Sequence, residues 1–272
     1  MQLVEWVTER VAVGDVITFL AGAALLGIFQ WLWRGLAGAR RRLMARRELY
    51  GRLWKLRTDV ARAYFEQELG LSHAFRTVIG RYTEYVYPHR WFFVQCLTDE
   101  DDNVVFYSVT SRDPEFTPAI WPSSASPKNV PAIPHHPLGS VPFAEVFEDH
   151  TPDGMLALFS GATAPSTYVE SYYLGNPGLY LTYLIGLNDA GHYSFDLGTA
   201  CSPELLSREV KVGALGGLGL DDEVSELLSR DYILKFRRIA RPNTFGMLGQ
   251  SFPHGQVLPV YLGPNRTQVR AL

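Results

Sequence analysis

The sequence predicts an α+β protein with an N-terminal transmembrane helix and a basic juxtamembrane helix, followed by a mainly antiparallel β domain that is barrel-like or a half-open sheet. Three observations support this prediction: an uncharged apolar run at 16–33, an arginine-rich block after it, and strand and turn patterns from residue 81 onward. The predicted organisation is a short extracytoplasmic N-terminus at 1–15, the transmembrane helix at 16–33, the juxtamembrane helix at 34–70 and a cytoplasmic β-rich domain at 71–272.

The predicted anchor is the run VITFLAGAALLGIFQWLW at 16–33, in which only Thr18 and Gln30 are polar. A helix of this length rises roughly 27 Å, which is about the hydrocarbon thickness of a bilayer. A buried core helix would usually be apolar on one face only. A cleaved signal peptide would carry basic residues before the run, whereas residues 1–15 hold three acidic side chains and one arginine.

The block after the anchor sets the predicted orientation. Residues 34–62 contain ten basic and two acidic side chains, so the positive-inside rule places this flank in the cytoplasm. The sequence therefore predicts a single-pass protein of a bacterial inner membrane with its N-terminus outside. The side chains expected to contact lipid headgroups are Arg40, Arg41, Arg42, Arg46 and Arg47.

The expected partners follow from this placement. Membrane lipids are expected at the basic block, and nucleic acid is not, because the juxtamembrane position explains the positive charge and the rest of the chain is acidic. Small residues at 21–27 suit helix packing, which would support a homo-oligomer formed through the anchor. Cys96 and Cys201 make no disulfide framework, as expected in a reducing compartment.

After the anchor, apolar residues recur every three or four positions from Ala39 to Leu69, which predicts one long helix with Gly70 as its C-cap. A short helix is expected from Ser72 to Ile79, with Ser72 as the N-cap. Seven prolines within 113–140 predict a loop that wraps the domain or forms a flap. One or two helical turns are expected from Val141 onward.

The remaining elements are predicted from alternating apolar, β-branched and aromatic residues bounded by turns. A hairpin is expected at 91–98 and 103–111, and a helix at 221–230. Further strands are expected at 154–163, 166–175, 178–189, 192–197, 232–240, 244–250 and 258–263, with turns at 175–178 and 188–191.

The hairpin tip at 99–103 matches the first positions of a calcium-binding loop. The loop would need glycine at its sixth position and glutamate at its twelfth, and the chain has Val104 and Thr110 there. We therefore predict a solvated turn and no metal site. The chain also lacks a P-loop, a nucleophile elbow, an H-E-x-x-H and a C-x-x-C motif, so no cofactor is predicted and enzymatic activity stays undecided.

One candidate site stands out. Glu170 lies in the middle of a predicted strand, and the two-residue period places it on one face with Tyr168 and Tyr172. If that face points inward, a buried carboxylate with phenolic neighbours binds a ligand or acts as a general acid or base. If it points outward, Glu170 is a solvated side chain on an antiparallel sheet.

Four segments carry a resemblance to a known family: 94–113, 168–191, 241–246 and 262–272, the last two with the sequences RPNTFG and LGPNRTQVRAL. Together with the N-terminal layout, residues 50–272 resemble an uncharacterised bacterial family of single-pass, membrane-anchored proteins with a β-rich C-terminal domain. The resemblance implies bacterial origin and this architecture. It implies no activity and no catalytic residue.

The favoured function is therefore non-enzymatic: a membrane-tethered cytoplasmic domain that binds a small molecule or a protein partner, as a sensor or effector acting through its membrane helix. Two alternatives stay open. One is a membrane-anchored hydrolase or transferase that uses Glu170. The other is a structural partner subunit of a membrane complex.

Overall fold

The computed structural model describes residues 44–118, 136–147, 150–158, 167–174, 181–196, 200, 209–212, 230–253 and 258–269. Several predictions lie outside these ranges: the membrane helix at 16–33, the headgroup contacts of Arg40, Arg41 and Arg42, Cys201, the turn at 175–178, the helix at 221–230 and most of the proline-rich loop. Within the described ranges, no helix combines the length and the apolar character needed to cross a bilayer.

The chain divides into two units, Met1–Gly51 and Arg52–Leu272. Residues 44–53 are helical and form α1, and two of the predicted lipid-contacting residues, Arg46 and Arg47, lie on this helix. The second unit contains the β domain.

The long helix predicted from Ala39 to Leu69 is interrupted. Helix α1 ends at residue 53, and α2 covers Arg62–Leu69. The reason is tertiary: the Asp59 N–H donates to the carbonyl of Val104 at 2.8 Å, and the Val104 N–H donates to the carbonyl of Val60 at 2.8 Å. The segment between the helices therefore pairs with a hairpin tip instead of continuing its own helix. Gly70 is the predicted C-cap, in the left-handed conformation with φ 67°.

The short helix predicted from Ser72 to Ile79 is wrong, because β1 occupies Phe75–Ile79 and pairs with β2 at Tyr82–Pro88. Thr77, Val78 and Ile79 are β-branched and therefore favour an extended backbone. The neighbouring strand β2 supplies the partner that decides between the two conformations.

The other elements follow in chain order. The strands are β3 Phe92–Thr98, β4 Val104–Ser111, β5 Gly154–Leu158, β6 Thr167–Leu174, β7 Leu181–Asn188, β8 Glu209–Val212 and β9 Thr244–Leu248. The helices are α3 Phe143–Val146, α4 Asp231–Ile239 and α5 Arg266–Val269. The nine described strands form one sheet in the order β1-β2-β3-β4-β9-β7-β6-β5-β8, and each neighbouring pair is antiparallel.

This sheet confirms the predicted mainly antiparallel β domain. The hairpin, the strands now numbered β5, β6, β7 and β9, and the helical turn after Val141 all form where the sequence predicts them. The strands β2 and β8 were not predicted. Residues 192–196 and 258–263 are not strands, although their alternation predicts them.

The segment 232–240 is helix α4, and the predicted strand there is wrong. Ile233, Phe236 and Ala240 are buried and repeat every three or four residues, which is the helical period. Lys235 and Arg238 fall on the exposed side of the same helix. This short segment satisfies both periods, and packing against the sheet selects the helix.

Different elements pack on the two faces of the sheet. We call the side that carries Tyr107, Cys96 and Glu170 the helix face. At one end of this face the Phe65 ring of α2 packs on Tyr107, with ring centroids 5.6 Å apart. At the other end, the Phe236 ring of α4 packs on Tyr168 of β6, with ring centroids 4.6 Å apart. The helices thus bury most of this face.

We call the opposite side the C-terminal face, because Phe252, Leu258, Leu262 and Val269 pack on it. Leu258 and Leu262 join a buried cluster with Phe106 and Leu184 of the sheet. Gly246 makes this approach possible, since a Cβ there would lie 2.8 Å from the Leu262 Cδ1.

Candidate functional site

The structure brings the predicted residues Tyr168, Glu170 and Tyr172 together on the buried helix face. Glu170 lies on β6 with none of its surface exposed. The Tyr168 hydroxyl donates to Glu170 Oε1 at 2.5 Å, and the Tyr172 hydroxyl donates to Oε2 at 2.5 Å. The predicted shared face is therefore the inward one.

A fourth member of this cluster comes from α4. Arg237 Nε donates to Glu170 Oε1 at 2.7 Å, and Nη2 lies 3.5 Å from Oε2. The guanidinium completes a buried ion pair between sheet and helix, which the sequence did not predict. The sequence contains one indication of it: Arg237 lies four residues after the buried Ile233, so both fall on the same side of a helix.

Aromatic rings enclose the cluster. The Phe143 ring of α3 meets Tyr168 edge-on at 4.9 Å, and Phe147 lies 4.4 Å from Tyr172. Burial, followed by the charge of Glu170, raises the pKa of both tyrosines well above the usual value. Both phenols therefore stay protonated and act as donors to the carboxylate.

This arrangement fits an anchor between elements better than a reactive centre. Both carboxylate oxygens of Glu170 already accept hydrogen bonds from two phenols and a guanidinium. In the part of the chain that the structure describes, no histidine or aspartate is hydrogen-bonded to Glu170 to serve as a second acid or base. The cluster joins β6 to α4.

A second buried polar network lies on the C-terminal face. The Asn188 N–H donates to Asn243 Oδ1 at 2.8 Å, and Asn188 Nδ2 donates to the carbonyl of Leu262 at 2.8 Å. The Gly263 N–H donates to Gln95 Oε1 at 2.9 Å. These five residues come from the four segments that carry the family resemblance, so those segments meet in one place. Their shared role is to hold the C-terminal segment on the sheet.

An open groove of about 720 Å³ lies on the helix face between α2 and the edge strand β1. Helix α2 leaves this part of the face uncovered. The basic residues that line the groove are Arg62, His73, Arg76 and Arg81, and Tyr85 also lines it. The sequence does not indicate this groove, because Arg62 falls among the membrane-proximal charges and His73 lies in a stretch predicted to be helical.

Two of the basic side chains are held against the buried Tyr85 ring. The Arg62 guanidinium carbon lies 4.6 Å from the ring centroid, and the His73 ring meets it nearly edge-on at 5.1 Å. Cation–π attraction and ring contact therefore fix both side chains at the groove.

Glu66 of α2 contacts the same two side chains, Arg62 and His73. Its carboxylate lies 2.8 Å from Arg62 Nη1 and 3.2 Å from His73 Nδ1, and it accepts the Tyr87 hydroxyl at 3.0 Å. Partial burial by itself would raise the pKa of Glu66, but the hydrogen bonds from Tyr87 and His73 and the charge of Arg62 lower it overall. Glu66 is therefore ionised at neutral pH and orients its neighbours.

The acidic side of the groove belongs to the hairpin tip. Asp102 accepts from Arg62 Nε at 2.9 Å. Asp99 Oδ1 accepts the backbone N–H groups of Asp101 and Asn103 at 3.0 and 2.9 Å, which makes the tip the turn that the sequence predicts. In the part of the chain that the structure describes, no group of three or more His, Cys, Asp or Glu side chains is placed to hold a metal ion.

The comparisons with known proteins give no relative: no family model, curated protein or solved structure matches this chain.

Proposed function

We propose that the chain is a membrane-tethered cytoplasmic binding module, which takes a small molecule in the groove beside α2. The observation that carries this proposal is the groove itself, whose volume of about 720 Å³ lies in the range of roughly 300–1,000 Å³ that small-molecule sites occupy. Two of its basic side chains, Arg62 and His73, contact both Tyr85 and Glu66, which orients them before a ligand binds.

The groove is also connected to the segment that leads back to α1. Arg62 lines the groove and begins α2, and its backbone N–H donates to the carbonyl of Asp102 at 2.9 Å. Three residues earlier, Asp59 accepts the backbone N–H groups of Gln250 at 3.0 Å and Ser251 at 3.1 Å. A ligand bound at Arg62 would therefore contact the element that connects, through 59–61, to the segment leading towards the predicted anchor, which is the connection that a sensor or effector requires.

Native mass spectrometry of the full chain, purified in detergent from its source cells, tests the binding function. We expect a co-purifying small molecule in the wild type. Thr83→Trp should abolish it, because Thr83 lines the groove and tryptophan would fill the space. Thr77→Trp is the matched control, since Thr77 lies on the neighbouring strand and does not line the groove. A wild type without any bound molecule, or a bound mass that survives Thr83→Trp, would contradict the proposal.

The membrane tether is proposed from the sequence of residues 16–33. Alkaline carbonate extraction of cell membranes measures it directly: the full chain should stay with the membranes, and a chain lacking 16–33 should be released. Release of the full chain by carbonate would refute the tether and would leave the proposed binding of a small molecule in the groove unaffected.

The alternative uses of Glu170 and of the protein surface have less support. Catalysis by Glu170 would need a free oxygen on the carboxylate, and both oxygens are hydrogen-bonded. A structural subunit would need a contiguous apolar patch. Among the described residues the exposed large apolar side chains are Met44, Val78 and Tyr261, and three side chains are too few for such a patch.

A further inference from the structure

We infer that the groove beside α2 recognises an oxyanion, such as a phosphate group, through Arg62, Arg76 and His73. This inference rests on the proposed function, since it names the chemistry of the ligand in the same groove. It depends on which nitrogen atoms of these side chains already make hydrogen bonds or ion pairs within the protein and which do not.

Arg62 keeps part of its guanidinium available. Nε donates to Asp102 and Nη1 contacts Glu66, whereas Nη2 has no protein partner among the described residues. A guanidinium that is held at two nitrogens presents its third in a fixed direction. Because the two ion pairs and Tyr85 determine its position, an oxyanion that binds Nη2 loses little side-chain entropy.

His73 offers a second group. Its Nδ1 lies 3.2 Å from Glu66 Oε1, and Nε2 has no partner among the described residues. With Nδ1 bound to a carboxylate, Nε2 becomes a donor when the ring is protonated. Glu66 is thus a positioning residue, which orients His73 and Arg62 at the same time.

Arg76 is the third member, and it is exposed. It projects from β1 on the helix face, lines the groove, and makes no hydrogen bond or ion pair within the described structure. An exposed arginine on an edge strand has no evident role in stability, so its substitution should leave the fold intact.

The carboxylates near the groove differ in whether they are already bonded to other protein groups. Asp102 and Glu66 both pair with Arg62, and Asp99 accepts backbone N–H groups of its own turn. Glu100 is the exposed carboxylate that remains at the rim. Arg62, His73 and Arg76 therefore line the groove with nitrogen atoms that have no protein partner among the described residues, whereas Asp99 and Asp102 at the hairpin tip are already bonded to the protein.

Isothermal titration calorimetry of the full chain in detergent tests this inference with two phosphate probes. Inorganic pyrophosphate represents a free phosphate ligand, and dihexanoyl phosphatidylglycerol represents a lipid headgroup in soluble form. We expect at least one probe to bind, and the tighter of the two identifies the source of the phosphate. In Arg76→Ala the affinity for that probe should fall about tenfold or more, since a charge-assisted hydrogen bond is lost.

Arg90→Ala is the matched control. Arg90 is also exposed, but its guanidinium lies over the Trp91 ring, 3.9 Å from the centroid, and outside the groove. The substitution removes the same charge and should change the affinity less than twofold. Equal losses in Arg76→Ala and Arg90→Ala would show nonspecific electrostatic attraction and overturn the inference.

The outcomes separate this inference from the proposed function. If neither probe binds but mass spectrometry finds a neutral or cationic molecule that Thr83→Trp abolishes, the groove is a binding site and the oxyanion inference is wrong. If neither probe binds and no co-purifying molecule is found, both are wrong.

Discussion

The buried ion pair between Glu170 and Arg237 gives the sharpest prediction about stability. Arg237→Met keeps a long side chain on α4 but removes the guanidinium, whose Nε contacts Glu170 Oε1 at 2.7 Å. Glu170 has no exposed surface, so its charge cannot turn to water for solvation. The variant therefore leaves an uncompensated carboxylate inside the protein.

The expected loss follows from what remains around the carboxylate. Removing one partner of a buried ion pair costs about 3–5 kcal/mol. Tyr168 and Tyr172 continue to donate hydrogen bonds, and the Arg237 side chain is 14% exposed, so we expect the lower end, about 3 kcal/mol. In a domain of this size that loss lowers the Tm by about 6–12 °C.

Thermal unfolding of the full chain, followed by near-ultraviolet circular dichroism, measures this loss. Arg238→Met is the matched control, since Arg238 is the next residue on α4 and is exposed. It should change the free energy of unfolding by less than about 0.5 kcal/mol.

A double-mutant cycle identifies the cause. Glu170→Gln combined with Arg237→Met removes both charges, so the double variant should lose less stability than the sum of the two single variants. The reasoning would be refuted if Arg237→Met matched Arg238→Met, or if the two single losses simply added.

Two further predictions concern the C-terminal face and Cys96. Gly263→Ala should destabilise the protein by about 1 kcal/mol or more, because Gly263 has φ +86° and the added Cβ would lie 2.6 Å from Thr110 Oγ1. Gly51→Ala is its control in urea unfolding, and since Gly51 is helical with open space around it, a loss of stability there would count against the reasoning. Burial raises the pKa of the Cys96 thiol to about 12, so the thiol stays protonated below that pH. In a Cys201→Ser background, a disulfide reagent at pH 8 should label Cys96 in urea only, and fast labelling of the folded chain would contradict the burial.

The sequence predicts well wherever the signal is local. The hairpin of β3 and β4 is recognisable because two apolar, β-branched runs flank an acidic turn. The common face of Tyr168, Glu170 and Tyr172 follows from the two-residue period of a strand, whatever the rest of the chain does.

Predictions that depend on a distant partner are less successful. The helix expected from Ala39 to Leu69 is interrupted because the carbonyl of Val104 accepts the Asp59 N–H, and the sequence pattern of the helix contains no sign of that contact. The segment 232–240 has an apolar pattern compatible with a strand and with a helix, and only its packing on β6 separates the two.

The candidate sites show the same division. The sequence by itself determined that a carboxylate lies between two tyrosines on one face of β6, since that arrangement needs only a short stretch of chain. Tertiary structure decided that Arg237 neutralises it, because the residues are separated by 67 positions. The groove likewise forms only when α2, β1, β2 and the hairpin tip fold against one another, so Arg62, His73 and Arg76 acquire a common role that their separate sequence contexts do not indicate.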